Sequence, residues 1–133
     1  GYDTDENGNV TCVHCTYDPE SRGGNSPDGR KVKGTLHWVS EADSFKAEVR
    51  LYDRLFNKEN PSDESAGAFT ENLNPDSLVI LKDCLVEGGL KENLKVGDTF
   101  QFMRQGYFCV DITSTDDNVV FNRTVQLNSS WGK

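Results

Sequence analysis

Thr99-Phe100-Gln101-Phe102-Met103-Arg104-Gln105-Gly106-Tyr107-Phe108-Cys109-Val110-Asp111-Ile112 is the stretch whose reading decides the fold class. Two apolar-rich runs, Thr99 to Arg104 and Tyr107 to Ile112, flank Gln105-Gly106, where glycine accommodates a tight reversal, so the stretch reads as a compact hairpin. On its C-terminal side, Thr115-Asp116-Asp117-Asn118 forms a turn before a strand over Val119 to Leu127. On its N-terminal side, Leu90 to Leu94 reads as one short helical turn closed by Lys95-Val96-Gly97-Asp98, and Leu78 to Val86 as an apolar strand. Asn57 to Ser65 is polar, contains Pro61 and reads as a loop. Glu48 to Phe56 alternates, with Val49, Leu51 and Leu55 opposite Arg50, Tyr52 and Arg54. Lys31 to Ser40 alternates in the same way, with Val32, Leu36 and Trp38 opposite Lys31, Lys33, Thr35 and His37. Pro19 to Gly29 reads as an exposed loop. Glu6-Asn7-Gly8-Asn9 is a hairpin turn leading into a strand over Val10 to Tyr17, and only Gly1 to Asp5 remain to supply the strand before it. That imbalance reads as a chain cut from something longer. Six or so short strands separated by frequent turn signals predict an antiparallel barrel or sandwich.

Composition narrows the function classes. The 133 residues suit one domain with a real core. No apolar run approaches the roughly 18–20 residues of a membrane span. The opening Gly1-Tyr2-Asp3-Thr4-Asp5-Glu6 has neither a basic region nor an apolar stretch behind it, so no signal peptide is read and a cytoplasmic, non-membrane protein is expected. Four cysteines, Cys12, Cys15, Cys84 and Cys109, are too scattered for a disulfide framework and are expected to be buried free thiols. The formal net charge is −8, yet residues 30–58 carry seven of the fourteen basic side chains against four acids, a local net of +3. This distribution excludes broad electrostatic binding and permits a small positive face that reads a defined RNA shape.

Local motifs for chemistry are weak. Cys12-Val13-His14-Cys15 has zinc-knuckle spacing, but residues three apart on an extended strand face opposite sides and no second cysteine pair follows, so no metal site is expected. His14 and His37 have no nucleophile-base signature around them, and a structural hydrogen bond is expected for His37. Gly23-Gly24 and Gly88-Gly89 lack the context of a phosphate loop and read as turns. The sequons at Asn9, Asn122 and Asn128 carry no meaning without a secretory route. Catalytic and cofactor-binding residues are therefore expected to be absent. The remaining feature is basic-aromatic alternation around Gln101, which can meet a base edge, and Arg104, which can bind phosphate or stack on a base. A solvated strand face gives the same pattern.

Several blocks resemble glutaminyl-tRNA synthetases, in family order and over nearly the whole chain. They are Cys15-Thr16-Tyr17-Asp18, Gly29-Arg30-Lys31-Val32-Lys33-Gly34-Thr35-Leu36-His37-Trp38-Val39-Ser40, and Glu48 to Phe56 followed by Asn60-Pro61. Leu73 to Ile80, Phe100 to Asp111 and Val120 to Val125 complete the set. The resemblance implies an all-β chain built on an antiparallel β-barrel of short strands, a ribosomal-protein-like anticodon-binding barrel. It divides the sequence into residues 1–29, a hairpin and loop of a distal barrel, and residues 30–133, most of the proximal barrel. It implies a C-terminal piece of a class I aminoacyl-tRNA synthetase whose ATP-site motifs, His-Ile-Gly-His and Lys-Met-Ser-Lys-Ser, do not occur here. ATP and Mg then belong to the parent's catalytic domain, and this piece alone should not aminoacylate.

Carried over residue by residue, Gln101 matches the family glutamine that reads the middle anticodon base, a uridine, and Arg104 matches an arginine lining the anticodon pocket. Three apart, the two would face opposite sides of a flat strand. Arg104 abuts the Gln105-Gly106 turn, where twist can bring it round. Arg50 to Asn60 resembles the segment joining the anticodon barrels to the catalytic core, with a relay role as an expectation. Trp38, Tyr52, Phe56, Tyr107 and Phe121 are expected in the core. The implied partner is the tRNA for glutamine, bound weakly by the piece alone, with neither DNA nor membrane and with a monomeric parent. A glutamyl-tRNA synthetase sharing this architecture and a free-standing barrel that binds ribosomal RNA are the alternatives.

Overall fold

The computed structural model describes residues 1–21, 26–31, 34, 36–63, 65 and 67–128. The chain divides into two units, residues 1–36 and residues 37–133. Strands and short 3-10 turns are the only regular elements among the described residues, as the all-β reading requires.

In the first unit, β1 (Tyr2–Thr4) pairs antiparallel with β2 (Val10–Val13), and Asp3 stands opposite Cys12. The turn between them is pinned by the Asp5 carboxylate. It accepts hydrogen bonds from the Asn7 amide at 2.9 Å, the Asn9 amide at 2.8 Å and the Asn9 side chain at 2.9 Å. These bonds, the Asn9 side chain first among them, hold the Asp5 carboxyl below its usual range. Gly8 supplies the positive φ of +82°. β2 stops at Val13, short of the expected Tyr17, and every residue of both strands is exposed. Cys12 and Cys15 are accordingly exposed, which corrects the expectation of buried thiols. A two-stranded ribbon has no second layer of its own to cover either face.

The second unit is a five-stranded sheet in the order β4-β3-β7-β6-β5. Its strands are β3 (Ser44–Tyr52), β4 (Leu78–Glu87), β5 (Thr99–Phe102), β6 (Gly106–Val110) and β7 (Val119–Val125). Neighbours pair antiparallel except β3 and β7, which run parallel with Ala47 beside Val119. The sheet is open, and β4 and β5 are its edges. The expected helical turn at Leu90 to Leu94 is a 3-10 segment at Gly88–Asn93.

The core follows strand alternation. Gly106, Phe108 and Val110 of β6 are buried while Tyr107, between Gly106 and Phe108, is exposed, and Phe100 and Phe102 of β5 turn inward on either side of Gln101. Phe121 on the central strand β7 is fully buried, with the rings of Phe102 and Phe100 edge-on at 5.2 and 6.5 Å. Phe102 also stacks on Phe108 at 4.7 Å. The long connection from β3 to β4 folds back on itself. Phe56 bridges to Leu73, the Asn57 amide donates to the Asn72 carbonyl at 2.9 Å, and Phe56 packs on Phe69 at 4.7 Å.

Two further expectations are corrected here. The described residues of the Lys31 to Ser40 block (Lys31, Gly34 and Leu36 to Ser40) form no strand, while Val32, Lys33 and Thr35 lie outside the described residues. Gly34 takes φ +88°, incompatible with extended backbone, and alternation without a pairing partner makes no ladder. Of the five aromatics assigned to the core, Phe121 is buried and Phe56 is half-buried. Trp38, Tyr52 and Tyr107 are exposed, Trp38 by 75%.

Candidate nucleic-acid interface

Gln101 occupies the third position of β5, directly opposite Tyr107 of β6, which in turn stands opposite Val125 of β7. Phe100 and Phe102 point into the core, so the period-two alternation of the strand turns Gln101 outward. Its side chain is exposed, and its amide has no hydrogen-bond partner among the described residues. Tyr107, 44% exposed, lies on the same outward row. The expectation of a core position missed this tyrosine. The signal was present in the alternation of buried Gly106 and Phe108 around it.

Arg104 lies outside β5, which ends at Phe102. The Gln105 amide donates to the Phe102 carbonyl at 2.9 Å, closing a turn in which Arg104 has φ +63°. Strand alternation does not govern a residue in such a turn, so its three-residue separation from Gln101 does not force the two onto opposite faces. Arg104 is exposed, as are its neighbours Met103 and Gln105. Gly106 fixes the hairpin against the rest of the sheet. Its φ is +142°, and a β-carbon there would lie 2.8 Å from the Val125 carbonyl oxygen, so no other residue fits without moving β7.

An open trough of about 700 Å³ at this end of the sheet has walls that include Leu85, Phe102, Phe108, Gln101, Gln105 and Arg123. Gln101 therefore has a route to solvent.

The positive face expected from residues 30–58 is reduced. Arg30 sits 3.3 Å from Asp18, Lys46 3.0 Å from Asp83, Arg50 2.8 Å from Glu48 and Arg54 3.7 Å from Asp53. Cations already matched to carboxylates contribute less to phosphate binding than free ones. Arg50 and Asp111 belong to a wider network. Asp111 accepts from the side chain and the backbone of Thr113 and from the Asn122 side chain, and lies 3.5 Å from Arg50. Its carboxyl is held down at about 2, first by the Thr113 hydroxyl.

Neither histidine matches a catalytic arrangement. His37 is exposed and has no hydrogen-bond partner among the described residues, contrary to the expected structural bond. At the Gly88-Gly89 turn, a β-carbon on Gly88 would meet the Asp43 carboxylate at 2.6 Å, so this position accepts only glycine without a shift of Asp43. No helix among the described residues is long and apolar enough to cross a membrane.

Residues 35–111 match the family described as tRNA synthetases class I (E and Q), anti-codon binding domain. The chain belongs to this family. The matched segment of the anticodon-binding domain contains both Gln101 and Arg104. Three curated relatives are glutamine–tRNA ligases. The chain is 50% identical to that of Stutzerimonas stutzeri over 131 residues, 53% to that of Alteromonas mediterranea over 129 and 54% to that of Rhodopirellula baltica over 130. In each case the match covers 97% of this chain but only 21–23% of the relative, so the chain spans less than a quarter of their length.

Proposed function

We propose that this chain is the anticodon-binding part of a glutamine–tRNA ligase that joins glutamine to its tRNA with ATP and Mg in the cytoplasm. Catalysis belongs to the portion of such a ligase that this chain does not span, and the chain alone is inactive. Residues 1–29 are read as a hairpin and loop of a distal barrel, and residues 30–133 as most of a proximal barrel. The partner is the tRNA for glutamine, with no role for DNA or membrane, and the parent acts as a monomer. Glutamine is favoured over glutamate because the relatives at about half identity are glutamine–tRNA ligases.

The observation that carries the reading is the unengaged amide of Gln101 on an exposed row beside Tyr107. A glutamine side chain offers one donor and one acceptor to a base edge, matching the carbonyl and N–H of an unpaired uracil. Tyr107 supplies an aromatic surface on which an unstacked base can rest. Arg104, in the adjoining turn, supplies charge for a phosphate or a plane for a second base. Because several cations nearby are paired with carboxylates, the isolated chain binds tRNA feebly.

In the intact ligase, Gln101→Ala is expected to lower discrimination at the middle anticodon position by about 1–3 kcal/mol, the scale of one good base-edge contact. The measurement is kcat/KM for aminoacylation of tRNAs altered at each anticodon position in turn. Equal loss at all three positions would remove Gln101 from the reading role.

A further inference from the structure

The β1–β2 hairpin gathers three side chains of a kind that bind transition metals. Asp3 and Cys12 are cross-strand partners, and His14, two residues beyond Cys12, shares its face. A carboxylate oxygen of Asp3, the Cys12 sulfur and a ring nitrogen of His14 all lie within 4.8 Å of one another. His14 Nε2 is 2.8 Å from Asp3 Oδ2. We propose that Asp3, Cys12 and His14 form a zinc-binding site, with water in the fourth position.

Three observations carry this. The first is donor chemistry. Thiolate, imidazole and carboxylate together suit zinc, whereas magnesium and calcium take all-oxygen sets. The second is that the scaffold is already in place. The Asp5 carboxylate locks the turn through three hydrogen bonds, and the ladder continues past the strands. There the His14 amide donates to the Gly1 carbonyl at 2.8 Å. The third is reach. Donors on a tetrahedral zinc stand about 3.3–3.8 Å apart for metal–ligand distances of roughly 2.0–2.3 Å. Side-chain rotation of about 1 Å brings a trio within 4.8 Å to that spacing without moving the strands. All three residues are exposed and accessible to the ion. Binding displaces the Asp3–His14 hydrogen bond and releases the Cys12 thiol proton to solvent, leaving a thiolate on the metal. Cys15 is not a member, since its sulfur is not within the cluster. The zinc-knuckle reading compared Cys12 with Cys15 and overlooked the cross-strand aspartate.

The test titrates the reduced 133-residue chain with Co(II) and then displaces cobalt with Zn(II). One equivalent of Co(II) is expected to produce a thiolate-to-cobalt charge-transfer band that Zn(II) abolishes. Cys12→Ser should eliminate the band. Asp3→Asn and His14→Gln, which leave the thiol in place, should each weaken zinc at least about tenfold, the lower scale for loss of even an outer-shell partner. Cys15→Ser should leave band and affinity unchanged. Absence of the band, loss of binding in Cys15→Ser, or unchanged affinity in Asp3→Asn or His14→Gln would each overturn the proposal.

Discussion

At the scale of single residues, Asp83 shows how one backbone angle shapes a strand. The β3–β4 register slips between Ala47 and Val49, where Cys84 and Leu81 are the partners, so β4 carries an extra residue. Asp83 sits in this bulge with φ +59°, in the left-handed region. An ordinary side chain there costs roughly 1–2 kcal/mol, and a β-branched one meets the worst clash. The Asp83 pair with Lys46 is exposed at both ends and contributes little. Asp83→Val is therefore expected to destabilise the chain by about 1–2 kcal/mol relative to Asp83→Gly in urea unfolding. Equal midpoints would show that the bulge relaxes. No sequence pattern announced this bulge: Leu78 to Val86 reads as uninterrupted strand, because a left-handed residue other than glycine leaves no compositional mark. Gln101 is the opposite case, since its neighbours Phe100 and Phe102 determine its face by alternation alone.

At the scale of elements, β7 is the centre of the sheet and Phe121 is the centre of β7. Its ring meets Phe100 and Phe102 of β5, although β6 lies between those strands in the sheet. Phe121 thereby ties the hairpin that presents Gln101 to the central strand. Phe121→Ala removes a fully buried ring and is expected to cost about 3–5 kcal/mol, read as a drop in thermal midpoint. A loss below about 1 kcal/mol would mean the edge hairpin repacks freely. The hairpin was legible because both strands and its turn are contiguous. The parallel pairing of β3 with β7 was not, because residues such as Ala47 and Val119 are distant in sequence and neither strand marks the other as its neighbour.

At the scale of the whole unit, the Asp111 network joins β3, the loop after β6, and β7 through Arg50, Thr113 and Asn122. Asp111 titrates near 2 in the folded chain against the usual 3.8, so the unfolded chain takes up its proton first. The resulting stability is fully present above about pH 4 and lost as pH falls through about 2. Wild-type chain should therefore lose thermal stability between these values, and Asp111→Asn should flatten that part of the profile. Parallel curves for the two proteins would show that this carboxylate does not drive the acid response.

Turn chemistry and two-residue alternation are local, and from them the sequence by itself determined the all-β class, the Gln101 hairpin and the outward direction of its amide. The ordered blocks also determined the family. Tertiary pairing decided the rest: that Asp3 meets Cys12, that Arg50 and Lys46 are already matched to carboxylates, and that the described residues of the Trp38 block form no strand. These outcomes depend on which distant segments come into contact. A strand's own pattern specifies its buried face, but neither its partner nor the charges brought alongside it.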